Sequence, residues 1–334
     1  MTARILSLVV VGITALSLHA GPAAEAQTPA AAPPASAPAP KPAVSTPPKP
    51  RAVPPKTYAS PEEAAEAFIA ALRAHDTKAL LVVFGSDSHA LVSSGDTVAD
   101  QQASAAFVQS YDTQHKLVAT AESRVLMVGV DDYPFAIPIV KDGERWRFDP
   151  KQGREEILAR RIGRNELFTI ETCLAYVDAQ REYYAEDRTG SGILEYAQKF
   201  ASTPGKRDGL YWPNKPGEVE SPLGSLVAQA RDQGYRRAKS GPTPYHGYLY
   251  RILTSQGPAV DDGAYDYIVR GHMIAGFALV ASPAEYGASG VMTFIVNQDG
   301  VVYQKDLGPN THAMASGMKA YNPDSTWTKA DTPD

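Results

Sequence analysis

The residues best equipped for recognition chemistry lie between Ser202 and Trp212, in the order STPGKRDGLYW. Lys206 and Arg207 bring fixed positive charge and several N–H donors, and Asp208 brings a carboxylate. Tyr211 and Trp212 are large amphipathic rings of the kind that anchor interfaces. Pro204, Gly205 and Gly209 supply turns that let the basic pair present its donors together, with Trp212 beside them. With His246 these residues form a candidate ligand-binding surface, suited to an anionic or sugar-bearing ligand. The competing reading makes Tyr211 and Trp212 plugs between helix and sheet, with Lys206 and Arg207 paired to nearby acids. A second cluster, Asp187, Thr189, Ser191 and Glu195, alternates oxygen-bearing side chains as calcium loops do, with Gly192 to allow the turn. Hydroxyls replace two carboxylates, and Gln198 stands where such a loop ends in glutamate. The stretch therefore reads either as a low-charge metal site or as a plain turn.

No catalytic residue and no cofactor is assigned. The sequence holds no G-x-S-x-G elbow, H-E-x-x-H helix, Walker loop or G-x-G-x-x-G turn. Its seven histidines never stand three or four apart, so no local metal pair exists. Ser316 to Lys319 matches S-x-x-K without the companion motifs of that chemistry, and reads as coincidence. The single cysteine, Cys173, excludes an intramolecular disulfide and any Cys-rich cluster, and reads as a buried, inert thiol. A net charge of −5 argues against binding nucleic acid by counterion release. Fourteen of the 17 tyrosines follow residue 175, with Tyr248/Tyr250 and Tyr265/Tyr267 paired on common strand faces. They suit sheet packing or, alternatively, a carbohydrate platform.

The elements that must position these residues begin late in the chain. Arg4, the apolar run Ile5–Leu18 and Ala24-Glu25-Ala26 make residues 1–26 a cleavable signal segment. Residues 27–57 hold 11 of the 27 prolines, no acid, and Lys41, Lys49, Arg51 and Lys56. Proline fixes φ and removes donors, so this reads as a disordered linker or a basic arm touching an anionic wall polymer. The chain is expected to be periplasmic or secreted, with no membrane span after signal cleavage.

Two α+β modules are expected beyond it, at 58–150 and 151–334. In the first, Ser60, Pro61 and Glu63 start a helix, and short helices follow at 79–84 and 103–111 across a loop at 86–102. Strands are expected at 123–130, 135–140 and 145–148, with Asp142-Gly143 as a hairpin turn. In the second, a long helix spans 153–187, kinked at Gly163 and recapped at Asn165. Its apolar stripe is Leu167, Ile170, Leu174, Val177 and Tyr184, with Glu166, Glu171, Asp178 and Glu182 facing away. Short helices are expected at 194–200 and 223–232. Strands follow at 248–254, 265–269, 273–281, 291–296 and 301–305, with turns at Gly271-His272 and Asp299-Gly300.

Helices followed by a sheet closing on Trp146, Arg147 and Phe148 resemble the NTF2-like or cystatin-like cone fold. The opening CLAYVDAQREYY from Cys173 and the end SGVMTFIVNQDGVVY from Ser289 look like the globular heads of type IV pilins. Residues 58–328 as a whole resemble the bacterial family DUF2950. The matching stretches are LVSSGD at 91–96, DDYPF at 131–135, GREEI at 153–157, RIGRNE at 161–166, STPGKRDG at 202–209 and VMTFIVN at 291–297. The resemblance implies an exported protein with no established activity. Together these observations suggest a binding or assembly factor of the cell envelope, more a binder than an enzyme, whose partner is an envelope protein or a wall polymer. A hydrolase acting on a cell-wall polymer is the alternative.

Overall fold

The computed structural model describes residues 52–332, apart from 215–216 and 237–240. The signal segment 1–26 and residues 27–51 of the expected linker lie outside the described residues.

Side chains that satisfy the free N–H groups of the first turn set the helix starts. Ser60 Oγ accepts from the Glu63 N–H at 3.1 Å, while Glu63 Oε2 accepts from the Ala59 N–H at 3.0 Å. With Pro61 in the first turn, this opens α1 (Pro61–Arg73). Asp76 caps α2 (Thr77–Phe84) in the same way. After α3 (His89–Val92), Asp96 caps α4 (Thr97–Thr113). The expected loop at 86–102 is thus largely helical, because Asp96 starts α4 ahead of any apolar signal.

Five strands follow: β1 (His115–Ala119), β2 (Ser123–Val128), β3 (Tyr133–Pro134), β4 (Ile139–Asp142) and β5 (Arg145–Phe148). They run antiparallel in the order β1-β2-β4-β5, with β3 on β2. The turn at Asp142-Gly143 joins β4 to β5 and sets Ile139 opposite Phe148, as the sequence suggests. Phe68 of α1 lies at the centre of a ring cluster with Phe84, Phe107, Phe135 and Phe148, at centroid distances of 5.0–5.5 Å. These rings fill the space between helices and sheet, forming the first core.

The last residues of the expected linker are held against this core. The Val53 N–H donates to Ser86 Oγ at 2.8 Å, the Lys56 N–H to the Val82 carbonyl at 2.9 Å, and the Arg145 side chain to Thr57. Those partners take up backbone groups that proline-rich chain otherwise leaves to water.

Gly153 opens α5 (Arg154–Tyr184) with φ +86°. A Cβ at this position would lie 2.0 Å from the Ala136 carbonyl oxygen, so the helix can start against the chain leading into β4 only from glycine. The helix runs 31 residues without the expected break at Gly163, about 46 Å at ~1.5 Å per residue. Ile157 packs against the first core; Ile170, Cys173, Tyr176, Val177 and Tyr183 belong to a second. The expected stripe is rotated. Leu167 is 54% exposed, whereas Glu166 turns inward and accepts from the Val291 and Met292 N–H groups at 2.9 and 3.0 Å. The buried face includes Asn165, Thr169 and Gln180, which an apolar count passes over.

The remaining elements are α6 (Gly224–Asp232), β6 (Tyr248–Leu253), β7 (Ser255–Gln256), β8 (Tyr265–Asp266), β9 (Ile268–Val269), β10 (His272–Met273), β11 (Ala278–Pro283), β12 (Met292–Asn297), β13 (Tyr303–Asp306), α7 (Thr311–Gly317), β14 (Ala320–Tyr321) and β15 (Thr328–Lys329). The main sheet is antiparallel in the order β15-β13-β12-β11-β6, and α5 packs on β11 and β12. Arg270 (φ +53°) and Gly271 (φ +90°) form the turn between β9 and β10. The helix expected at 194–200 is instead extended chain. Gln180 of α5 donates to the Ala197 carbonyl and accepts its N–H, both at 2.8 Å, and the Tyr196 N–H donates to the Met273 carbonyl. With those groups taken by tertiary partners, no helical turn can close there.

The result is a mixed α+β fold with seven α-helices among the described residues and sheets that do not close into a barrel. Among those residues no helix is long and apolar enough to cross a membrane. A polar joint ties the two cores. Arg161 of α5 donates to the Ala90 and Leu91 carbonyls at 2.8 and 2.7 Å, and burial pushes its pKa below the ordinary value. Asp96 Oδ1 caps α4, while its Oδ2 accepts from the Tyr235 hydroxyl and the Gly247 N–H, both at 2.9 Å.

Candidate functional site

Tyr183, near the end of α5, brings the two clusters singled out in the sequence to one face. Its hydroxyl donates to the Arg207 carbonyl at 2.7 Å. Burial, together with the Glu195, Asp208 and Asp187 carboxylates, pushes the phenol up to about 12, against the opposing charge of Arg188.

On one side is the loop from Asp187 to Glu195. Asp187 Oδ1 accepts from the N–H groups of Thr189, Gly190 and Ser191 at 3.2, 2.8 and 3.1 Å, and Oδ2 accepts from Gly192 at 2.8 Å. These bonds hold its carboxyl below the usual range, that from Gly192 most strongly. The donors point their hydrogens at the oxygens a cation would need. Thr189 donates to Glu195 Oε1 at 2.9 Å, and Glu195 Oε2 lies 3.1 Å from His272 Nδ1. Among the described residues, no group of three or more His, Cys, Asp and Glu side chains is placed to hold a metal ion. The oxygen-rich spacing here closes a turn.

On the other side is the loop from Ser202 to Gly209. Asp208 accepts from the Thr203 N–H and Oγ1 at 2.7 and 2.9 Å, and from Lys199 Nζ at 2.6 Å. Burial works against the carboxylate, but these donors outweigh it and hold the pKa down to about 2. Asp208 therefore closes the loop. Gly209 lets the chain cross itself, since a Cβ there would lie 2.8 Å from the Ser202 nitrogen. Lys206 is exposed at the tip. Arg207 folds back so that its guanidinium lies 5.4 Å from the centroid of the Trp212 ring, and Arg188 lies over the same ring at 5.7 Å. Arg231 of α6 lies over Tyr211 at 5.1 Å. Trp212 is buried, so its ring holds two guanidinium groups in place and does not form an open stacking platform. Both sequence readings of this segment contain part of the answer: Trp212 packs in the core, and it positions charge.

His246 does not join this face. Its ring stacks on Phe168 at 4.3 Å and meets Tyr245 at 4.4 Å, beside the joint between the cores. Burial pushes its pKa down.

A cleft of about 290 Å³ opens beside α6, lined by Tyr211, Trp212, Asn214, Glu220, Ser221 and Arg231 among others. Six buried side-chain polar atoms among the described residues have no hydrogen-bond partner, and four belong to this neighbourhood: Arg188 Nε and Nη1, Trp212 Nε1 and Ser221 Oγ. An unmet buried donor costs about 1–3 kcal/mol, so such atoms are rare in native proteins and their clustering calls for an explanation. The Arg188 side chain is only 4% exposed. Its Nη1 lies 3.0 Å from Glu186 Oε2, an ion pair whose geometry does not make a hydrogen bond. Its Nη2 makes a long contact of 3.4 Å to the Glu182 carbonyl. A larger hollow of about 550 Å³ between α1 and α4 holds the exposed Arg73–Asp112 ion pair and no unpartnered buried group.

The family model for DUF2950, described as a protein of unknown function, matches residues 55–330. The chain belongs to the DUF2950 family. No curated protein and no solved structure matches it. Of the six stretches that carried the resemblance, DDYPF and GREEI pack Phe135 and Ile157 against the first core, and the other four gather at two places. LVSSGD and RIGRNE meet at the joint, and Glu166 of the latter grips the start of VMTFIVN. STPGKRDG forms the loop over Trp212. Sequence reasoning missed Arg188, Ser221, Glu186 and His272. The His272–Glu195 contact spans 77 positions and depends on the Tyr196–Met273 bridge. Arg188 lay in view, inside the loop read only for its oxygens.

Proposed function

We propose that this DUF2950 protein is a non-enzymatic binding or assembly factor of the cell envelope, periplasmic or secreted, and that the face around Trp212 takes its ligand. The observation that carries the reading is the group of buried, unpartnered polar atoms on Arg188, Trp212 and Ser221. Arg207 and Arg231 are held nearby on aromatic rings. The address rests on Arg4, the apolar run after it and Ala24-Glu25-Ala26, with the proline-rich segment as spacer. On this reading the first module is an NTF2-like scaffold. The second, a long helix on an antiparallel meander, is a pilin-head-like unit.

One observation favours a hydrolase of wall polymer as a second reading. Glu195 orients His272 through Nδ1, leaving the other ring nitrogen available to a proton. Incubating the mature protein with purified cell wall separates the two. The binding reading expects the protein to pellet with the wall without releasing fragments, and Lys206→Ala with Arg207→Ala to weaken pelleting. Steady fragment release that disappears in His272→Gln would overturn it in favour of the hydrolase.

A further inference from the structure

We infer that Arg188 is the anchor for an oxyanion group of the ligand, a carboxylate or a phosphate, and that Glu186 occupies its place in the free protein. This inference rests on the reading of the Trp212 face as the ligand site.

A guanidinium carries five N–H donors, each able to make a charge-assisted bond to an oxygen of a carboxylate or phosphate. In Arg188 the nitrogens Nε and Nη1, on opposite edges of the guanidinium, are left without hydrogen bonds, although only 4% of the side chain is exposed. The ring of Trp212 fixes one side of the guanidinium at 5.7 Å, and the Glu182 carbonyl engages Nη2. The unused donors are therefore oriented before any ligand arrives.

Glu186 reaches Nη1 at 3.0 Å from a side chain that is 63% exposed. Its carboxylate approaches with the right charge but leaves the Nη1 hydrogen bond unmade, so an incoming oxyanion that makes that bond displaces it at little cost. The other carboxylates near Arg188 cannot substitute. Asp187 is filled by four backbone N–H groups, and Asp208 by Lys199 and Thr203. Trp212 Nε1 and Ser221 Oγ, also unpartnered, line the adjoining cleft and suit further oxygens of the same ligand.

The test is a titration of the ¹⁵N-labelled mature protein, following the Arg188 Nε–H and Trp212 Nε1–H signals at constant ionic strength. The probes are D-glucuronate and inorganic phosphate, with chloride as control. Saturable movement of both signals with either probe, absent with chloride, is the expected result. The probe that binds more tightly tells a carboxylate source from a phosphate source. Arg188→Lys should weaken that binding at least tenfold with the Trp146 and Trp327 indole signals unmoved, and Glu186→Gln should tighten it several-fold. Signals that ignore both anions, binding unchanged in Arg188→Lys, or weaker binding in Glu186→Gln would each overturn the assignment. Wall pelleting is read alongside. A wild-type protein that pellets but ignores both anions refutes this anchor and leaves the envelope reading intact. Saturable anion binding without pelleting does the reverse.

Discussion

The joint between the two cores and the face around Trp212 are built from the same materials, buried arginine, carboxylate and aromatic hydroxyl or indole, and they treat them oppositely. At the joint, Arg161 spends its donors on the Ala90 and Leu91 carbonyls, and Asp96 accepts from the α4 N-terminus, Tyr235 and Gly247. The network closes on itself, which is the condition under which buried polar groups stabilise and specify a structure. Around Trp212, Arg188 and Ser221 are deeply placed too, yet Arg188 Nε and Nη1 and Ser221 Oγ go unused. An open network of this kind contributes little to stability, and a ligand that completes it gains every bond it makes. Polar burial alone does not identify a site; polar burial without closure does.

The largest expected effect lies at the joint. Asp96→Ala removes the α4 cap, typically ~1 kcal/mol, and leaves the Tyr235 hydroxyl and the Gly247 N–H buried without an acceptor. Urea unfolding should show a loss of about 3 kcal/mol or more, and a loss under 1 kcal/mol would break the contrast. Ser221→Ala should behave differently. Removing an unpartnered buried hydroxyl is expected to leave stability unchanged or raise it by up to ~1 kcal/mol; a clear loss would mean that Ser221 already has a partner.

Cys173 offers a control within the closed second core. Burial pushes its thiol up to about 12, so a maleimide should label it only at the rate of global unfolding at pH 7–8. Fast labelling of folded protein would show that α5 opens locally. The smallest effect concerns the loop beside Trp212. Since the folded pKa of Asp208 lies below its unfolded value, its contribution is fully present above the unfolded value near 3.8 and is lost as pH falls through about 2. A carboxyl NMR titration should find it ionised at pH 3, and Lys199→Met should move its midpoint upward.

What the sequence revealed depended on whether partners were local. The Ser60 cap and the Asp142-Gly143 turn involve neighbours in the chain, and periodicity or turn chemistry exposed them. The turn expected at Gly271-His272 falls one residue earlier, at Arg270-Gly271, because His272 pairs with Val269 in the sheet. The facing of α5 was hidden because its buried side holds Asn165, Thr169, Glu166 and Gln180, whose partners on β6, at the start of β12 and just before it, and in the 194–200 segment are distant in sequence. The same limit applied to the site. Lys206, Arg207, Asp208, Tyr211 and Trp212 attracted notice by type, and the fold divides them into loop closure, ring and charge. Arg188 gains its meaning only from burial and from bonds it does not make. His246, a plausible ligand group by type, is an aromatic packing residue by position.

The contrast between closed and open networks is tested most directly by unfolding Arg161→Met and Arg188→Met side by side in urea. Both changes keep an unbranched, flexible stem and remove the guanidinium. Arg161→Met should lose about 3 kcal/mol or more, because two charge-assisted bonds go and two carbonyls are stranded. Arg188→Met should stay within ~1 kcal/mol of the parent, since only a ring contact, a long carbonyl contact and a partly exposed ion pair are lost. Equal losses from the two, or a larger loss from Arg188→Met, would contradict the account.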